Sequence, residues 1–148
     1  MKKVAIGCDP NAAARKQVII DYLSELGYEW EDYGSEDIVY ANVAFKVAEA
    51  VAGGKHDRGI LICGTGIGMS IAANKIPGVY AALCTDAYST ERSRKSNNAN
   101  IMTMGAFTIG SQLARTLVKV WMESEYTPGG RSEPKVQRIV DYANEHIK

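Results

Sequence analysis

The 148 residues are the length of one ordinary domain, and folding at that size buries about 70% of the surface an extended chain exposes. Seventeen Lys and Arg balance seventeen Asp and Glu, so no overall field would draw nucleic acid or an anionic membrane, although a local basic cluster can still hold a small anion. No apolar run reaches the roughly 18 residues of a membrane span, and the opening MKKVAIGCD runs straight into a strand instead of a signal-peptide core, so a single cytoplasmic domain is expected.

Apolar runs of four to six residues alternate with longer segments of helical period, the pattern of βαβ units in a parallel α/β sheet covered on both faces. Strands are predicted at VAIGC (4–8), a weaker YEWEDYG segment (28–34), GILIC (59–63), VYAALC (79–84) and NIMTMG (100–105). Helices are predicted at about 11–26, 40–53, 67–75, 87–95, 107–123 and 133–147. In the first helix Val18, Ile19, Tyr22, Leu23 and Leu26 recur at helical steps and supply an apolar face, and Gly27 stands where a left-handed C-terminal cap belongs. Leu61 and Ile62 sit in an unalternated apolar run, as a strand buried on both faces requires. The last helix follows TPGGRS with no strand after it, so it is expected to dock on a second copy and make a homodimer.

Cys8, Cys63 and Cys84 lie in or beside strand-like runs without the CxxC spacing of zinc or dithiol sites, so each is by default a buried small hydrophobe. Ligands of an open parallel sheet bind beyond the carboxyl ends of its strands. Those ends carry Cys8 and Asp9, then CGTGIG (63–68), then Thr85 and Asp86, then Gly105. Within CGTGIG, Gly64, Gly66 and Gly68 let the chain turn sharply from strand to helix, so several N–H groups face outward as an anion hole. Cys63, the last strand residue before that turn, would be stabilised as a thiolate by those amides. A thiolate beside an oxyanion hole suits proton abstraction next to a carbonyl, with Thr65 placed to relay a proton between neighbouring oxygens. The other reading, a packed cysteine and glycines that serve only the turn, stands equal on position alone.

A dinucleotide fingerprint is disfavoured, although Asp86 mimics its ribose-binding acid: the spacing is GxGxG, the motif follows the third strand, and little chain remains for a substrate domain. No GK[ST] follows, so a Walker A loop is absent. SRKSNNAN (93–100) offers Asn97 and Asn98 to sugar hydroxyls, or is simply a helix-ending turn that favours Asn. In PGGRSEPK (128–135), Arg131 and Lys135 lie four apart and can face one phosphate if the last helix begins there; as a bare pair they are solvated surface. His56, in the loop GGKHDRG, and His146 are expected to be exposed and not to ligate a metal, and no metal or other cofactor is expected.

GCD near the start, GILICGTGIGMSIAANKIPG, SNNAN and GGR match in order and spacing a known family: over essentially its whole length the chain resembles the ribose-5-phosphate isomerase type B and galactose-6-phosphate isomerase family. The resemblance implies a Rossmann-like three-layer α/β/α sandwich, a homodimer or dimer of dimers with sites at the subunit interface, and aldose–ketose isomerisation of a small phosphorylated sugar through a cis-enediol. It implies Cys63 as catalytic base, Thr65 as the proton handler, Gly64 to Gly68 as the enediolate-binding amides, Asp9, Tyr40 and Asn97 on substrate hydroxyls, and Arg131, followed by Lys135, on the phosphate, reaching the partner's site.

The departures point to a substrate. Ribose-type members carry histidines where Pro10, Ser96 and Ser132 stand, and the one at Ser96 is assigned to opening the furanose ring. A serine hydroxyl replaces it poorly as acid or base. A tetrose phosphorylated on its fourth carbon cannot close a five- or six-membered ring and needs no opening. YAN (40–42) with SNNANI and GGRSEPKV is similar to the branch that isomerises D-erythrulose 4-phosphate to D-erythrose 4-phosphate. The alternatives are a pentose- or hexose-phosphate isomerase, and a non-catalytic sugar-phosphate-binding subunit of a hetero-oligomer, against which intact Cys63 and Thr65 speak. Whether Asp86 and Arg94 touch ligand is left open.

Overall fold

The computed structural model describes residues 2–147. Five strands, β1 (Val4–Cys8), β2 (Trp30–Asp32), β3 (Gly59–Cys63), β4 (Ala81–Leu83) and β5 (Ile101–Gly105), pair in parallel in the order β2-β1-β3-β5-β4. Between and after them run α1 (Ala13–Glu25), α2 (Tyr40–Ala52), α3 (Ile67–Ala73), α4 (Ala87–Lys95), α5 (Ser111–Glu123) and α6 (Glu133–His146). The sheet has helices on both sides, as the alternating pattern predicts, in the Rossmann-like sandwich that the resemblance implies.

The three central strands are five residues long and wholly buried, whereas β2 and β4 shrink to three residues each. An edge strand pairs on one side only, so the predicted YEWEDYG and VYAALC runs keep a ladder only where β1 and β5 face them. Strand alternation divides the core. Ile6, Ile60, Ile62, Met102 and Met104 pack on α1 and α5, while Ala5, Leu61, Cys63 and Ile101 pack on α2 and α3.

Two helices depart from expectation. The first begins as a 3-10 turn at Pro10–Ala12, because Asp9 accepts from the Ala12 N–H and Pro10 occupies the first position. Its buried face is Lys16, Ile19, Ile20 and Leu23, with Val18 and Tyr22 at the margin. Lys16 is tolerated there because its Nζ reaches both Asp32 oxygens at 2.8 Å. The helix closes as predicted: the Gly27 N–H donates to Ser24 and the Tyr28 N–H to Leu23. The fifth helix starts at Ser111, not at 107, because residues 106–109 form a turn tied to the end of β3. No residue of α6 is buried, and its apolar Ile139 and Tyr142, with Ile147 just after it, are exposed.

His56 is not the exposed histidine expected of a polar loop. It is 2% exposed, with Nε2 2.9 Å from the Tyr33 hydroxyl and Nδ1 bonded to the Lys3 carbonyl oxygen, so it ties β2 to the entry of β1. Among the described residues no helix is long and apolar enough to cross a membrane, and no cluster of His, Cys, Asp and Glu could hold a metal.

Candidate active site

The chemistry-bearing residues fall at opposite ends of the sheet. Cys63 ends β3 and is in register with Gly105 at the end of β5, whereas Ser96 and Asn97 precede β5. At about 3.3 Å per residue, a five-residue strand separates the two groups by roughly 15 Å.

At the carboxyl end, Cys63 is 6% exposed, and its Sγ accepts the Gly66 N–H at 3.1 Å. Gly66 takes φ +82, a left-handed conformation that turns this amide back onto the sulfur; a Cβ there would stand 2.8 Å from the Met104 carbonyl carbon. The loop is held from outside. The Thr103 hydroxyl donates to the Gly66 carbonyl oxygen at 2.8 Å, the Ala106 N–H to that of Cys63 at 2.8 Å, and the Phe107 N–H to that of Gly64 at 3.0 Å. Among the described residues the N–H groups of Thr65 and Gly68 find no acceptor. Thr65 is exposed, with Oγ1 accepting from Ile67 N–H at 3.3 Å.

Tyr40 opens α2 and lays its ring and hydroxyl against Gly68, where a Cβ would lie 2.5 Å from the ring. Asp9 follows β1 and is half-buried; one oxygen accepts the Ala12 N–H. Cys63, Thr65, Gly64, Gly66, Gly68, Tyr40 and Asp9 therefore share one end of the sheet. Exposed apolar side chains rim it: Leu83 packs on Gly66, Phe107 on Gly64, and Ile67 stands in the turn itself.

The other cysteines differ. Cys8 points to the α1 and α5 side, where burial pushes its thiol up to about 11, and burial also raises the Cys84 thiol. Both stay protonated and inert at neutral pH.

At the amino end, Ser96, Asn97, Arg131 and Lys135 line one open groove of about 610 Å³. The cation pair thus meets the Asn-rich turn, as the spacing allowed. Asp86 and Arg94 have structural work. Asp86 caps α4, accepting the Ser89 N–H at 2.8 Å. Arg94, buried beside the Trp121 ring, donates to the carbonyl oxygens of Ala99 and Ser124, and a second buried arginine, Arg58, takes the carbonyl oxygens of Trp121, Met122 and Ser124. Together they satisfy the last carbonyls of α5.

Sequence reasoning missed Arg92 and Phe107. Arg92 Nε donates to Ser96 Oγ at 2.7 Å, and the signal available was their four-residue spacing on a predicted helix. Phe107, hidden inside a helix predicted to start there, had no such signal.

The profile of the Ribose/Galactose Isomerase family matches residues 4–139. D-erythrulose-4-phosphate isomerase of Pectobacterium atrosepticum is 46% identical, the match covering 98% of this chain and 97% of that one. Ribose-5-P isomerase B of Listeria innocua is 53% identical across 90% of this chain and 92% of its own. The solved structure of Clostridium thermocellum ribose-5-phosphate isomerase B superposes with a TM-score of 0.91 at 42% identity, covering 97% of this chain and 99% of that one. With the sheet, the glycine turn and the cysteine at its mouth all in place, the chain belongs to the ribose/galactose isomerase family of sugar-phosphate isomerases.

Proposed function

We propose that this chain interconverts D-erythrulose 4-phosphate and D-erythrose 4-phosphate in the cytoplasm, without metal or nucleotide, at sites completed by a second copy of itself. Cys63, as the sulfur anion, takes a proton from the first carbon of the ketose. The electron pair left behind forms the enediolate, whose oxygen is met by the free N–H groups of the Gly64 to Gly68 turn. Thr65 moves a proton between the two oxygens, and Cys63 returns its proton to the second carbon. Tyr40 and Asp9 hold hydroxyls, as does Asn97 from the partner subunit, whose Arg131 and Lys135 take the phosphate.

Two features support the completion by a second copy. One chain keeps its cations at the end of the sheet away from its own sulfur. The sulfur's mouth is rimmed by exposed Ile67, Leu83 and Phe107, apolar surface that a partner would cover.

One observation carries the choice of a tetrulose: Ser96 stands where ring opening would need a histidine, and its oxygen already accepts a hydrogen bond from Arg92 Nε. A substrate that cannot cyclise through a five- or six-membered ring is indifferent to that loss. The ribose-type reading is favoured by the Listeria relative, and one experiment separates the two. Purified protein, assayed without metal or nucleotide, is expected to have a kcat/KM for D-erythrulose 4-phosphate at least about tenfold above that for ribulose 5-phosphate, the discrimination one missing contact supplies. Equal or better use of the pentose rejects the tetrulose.

A further inference from the structure

The bond that engages the Ser96 hydroxyl also fixes a cation. Ser96 Oγ accepts from Arg92 Nε at 2.7 Å across one turn of α4, which fixes the direction of the guanidinium. Arg92 lines, with Lys95, Thr127, Gly130 and Arg131, an open hollow of about 350 Å³ beside the groove of Ser96 and Lys135, and Arg131 and Ser132 belong to both. Glu125, the acid in that hollow, is engaged elsewhere: Arg58 Nη2 holds it at 2.7 Å and Arg94 Nη2 stands 3.7 Å away. Among the described residues the terminal nitrogens of Arg92 have one carboxylate in range, Glu91 at 3.7 Å, which is beyond a hydrogen bond and is shared with Lys95 at 3.4 Å. The hollow is therefore cationic, and Arg92 lines it with its Nε already engaged. A guanidinium with its Nε committed to a hydroxyl keeps the edge between its two terminal nitrogens for the oxygens of an anion.

We propose that Arg92 is a phosphate-binding and specificity-determining residue, a second guanidinium beside Arg131 for the sugar phosphate, and that Ser96 is its positioning residue and not a group that meets the sugar ring. This rests on the reading that the Ser96 to Arg131 groove serves the substrate. It gives the serine a purpose: its hydroxyl holds the guanidinium in place. A shorter substrate, with fewer hydroxyls to bind, depends more on its phosphate for affinity.

The test is steady-state kinetics of the full chain on whichever sugar phosphate the wild type uses best, with inorganic phosphate as competitive inhibitor. Arg92→Leu is expected to raise both KM and the phosphate inhibition constant at least about tenfold, with kcat within about threefold, the pattern of lost binding and not lost chemistry. Ser96→Ala should raise the same two constants by a smaller factor and add nothing on the Arg92→Leu background. Lys119→Leu, which removes an equal charge from the exposed side of α5, should change neither. Unaltered phosphate inhibition in Arg92→Leu, a fall in kcat at constant KM, or additive effects of the two substitutions would each overturn the assignment. If Arg92→Leu does not fold, Arg92→Lys and Ser96→Ala decide by the same constants, since both disturb the fork without removing the stem. A preference for ribulose 5-phosphate counts against the tetrulose alone, and the Arg92→Leu result on that pentose then supports or overturns this assignment by the same criterion.

Discussion

Around Cys63, at the carboxyl end of the sheet, the carbonyl oxygens of Cys63, Gly64 and Gly66 are pinned while, among the described residues, the N–H groups of Thr65 and Gly68 stay open, whereas around Ser96 and Arg131, at the amino end, the polar groups are long or exposed side chains. Gly66 is held in a left-handed conformation under Met104, with Thr103 on its carbonyl oxygen and the turn after β5 stitched to Cys63 and Gly64. Arg131 and Lys135 are exposed in an open groove. The contrast fits the proposed chemistry through distance dependence. A proton leaving carbon tolerates misplacement of its acceptor by only about an ångström, which a turn held by its backbone would supply. The pull of a cation on a phosphate falls only inversely with distance, so flexible side chains suffice for it.

The harshest way to break this comparison is at the sulfur. Cys63→Ala should lose at least about a hundredfold in kcat, the low end of general-base contributions, with an unchanged circular dichroism spectrum. Cys8→Ala and Cys84→Ala, whose thiols lie away from the turn, should keep near-wild-type turnover. Loss of activity in either of those would move the base elsewhere.

The two ends can also be tested as halves of one site. Cys63→Ala and Arg131→Leu should each be nearly inactive, and unfolding and refolding them together should restore about a quarter of wild-type activity. Random pairing makes half of the dimers mixed, and each mixed dimer has one site free of both lesions. A mixture that stays at the level of its components would mean that each site lies within one chain.

The smallest effect sharpens the contrast between the thiol proposed as base and the packed ones. Burial raises the Cys8 thiol from its ordinary 9 to about 11 and raises Cys84 as well. A raised folded-state value means that the contribution to stability is complete below pH 9 and fades as pH climbs toward 11. Urea unfolding of the wild type should therefore weaken across that window by up to about 1.4 kcal/mol per pH unit for each such thiol, and Cys8→Ala should flatten the slope. An identical slope in Cys8→Ala would deny that its thiol is held neutral.

The central strands were legible within a residue because an apolar run buried on both faces carries its own signal. The edge strands were overestimated, since VYAALC and YEWEDYG look alike whether one neighbour or two supply the ladder. The start of α5 was misplaced because residues 106–109 are held by Cys63 and Gly64, more than forty positions away in the chain. His56 was misjudged for the same reason: its loop is polar, but Lys3 and Tyr33 bury the ring. The division of the candidate site into two ends was legible in principle, since Cys63 follows a strand and Asn97 precedes one.

Composition, periodicity and the glycine spacing alone determined the α/β class, the Gly27 cap of the first helix and the cysteine at a glycine turn, because each depends on residues within a few positions of one another. Strand order, the face on which each cysteine lies, the partners of Arg58, Arg94 and His56, and the gathering of Arg92, Ser96 and Arg131 were decided only in three dimensions. Those features arise from contacts between distant segments, whose burial and charge no local pattern encodes.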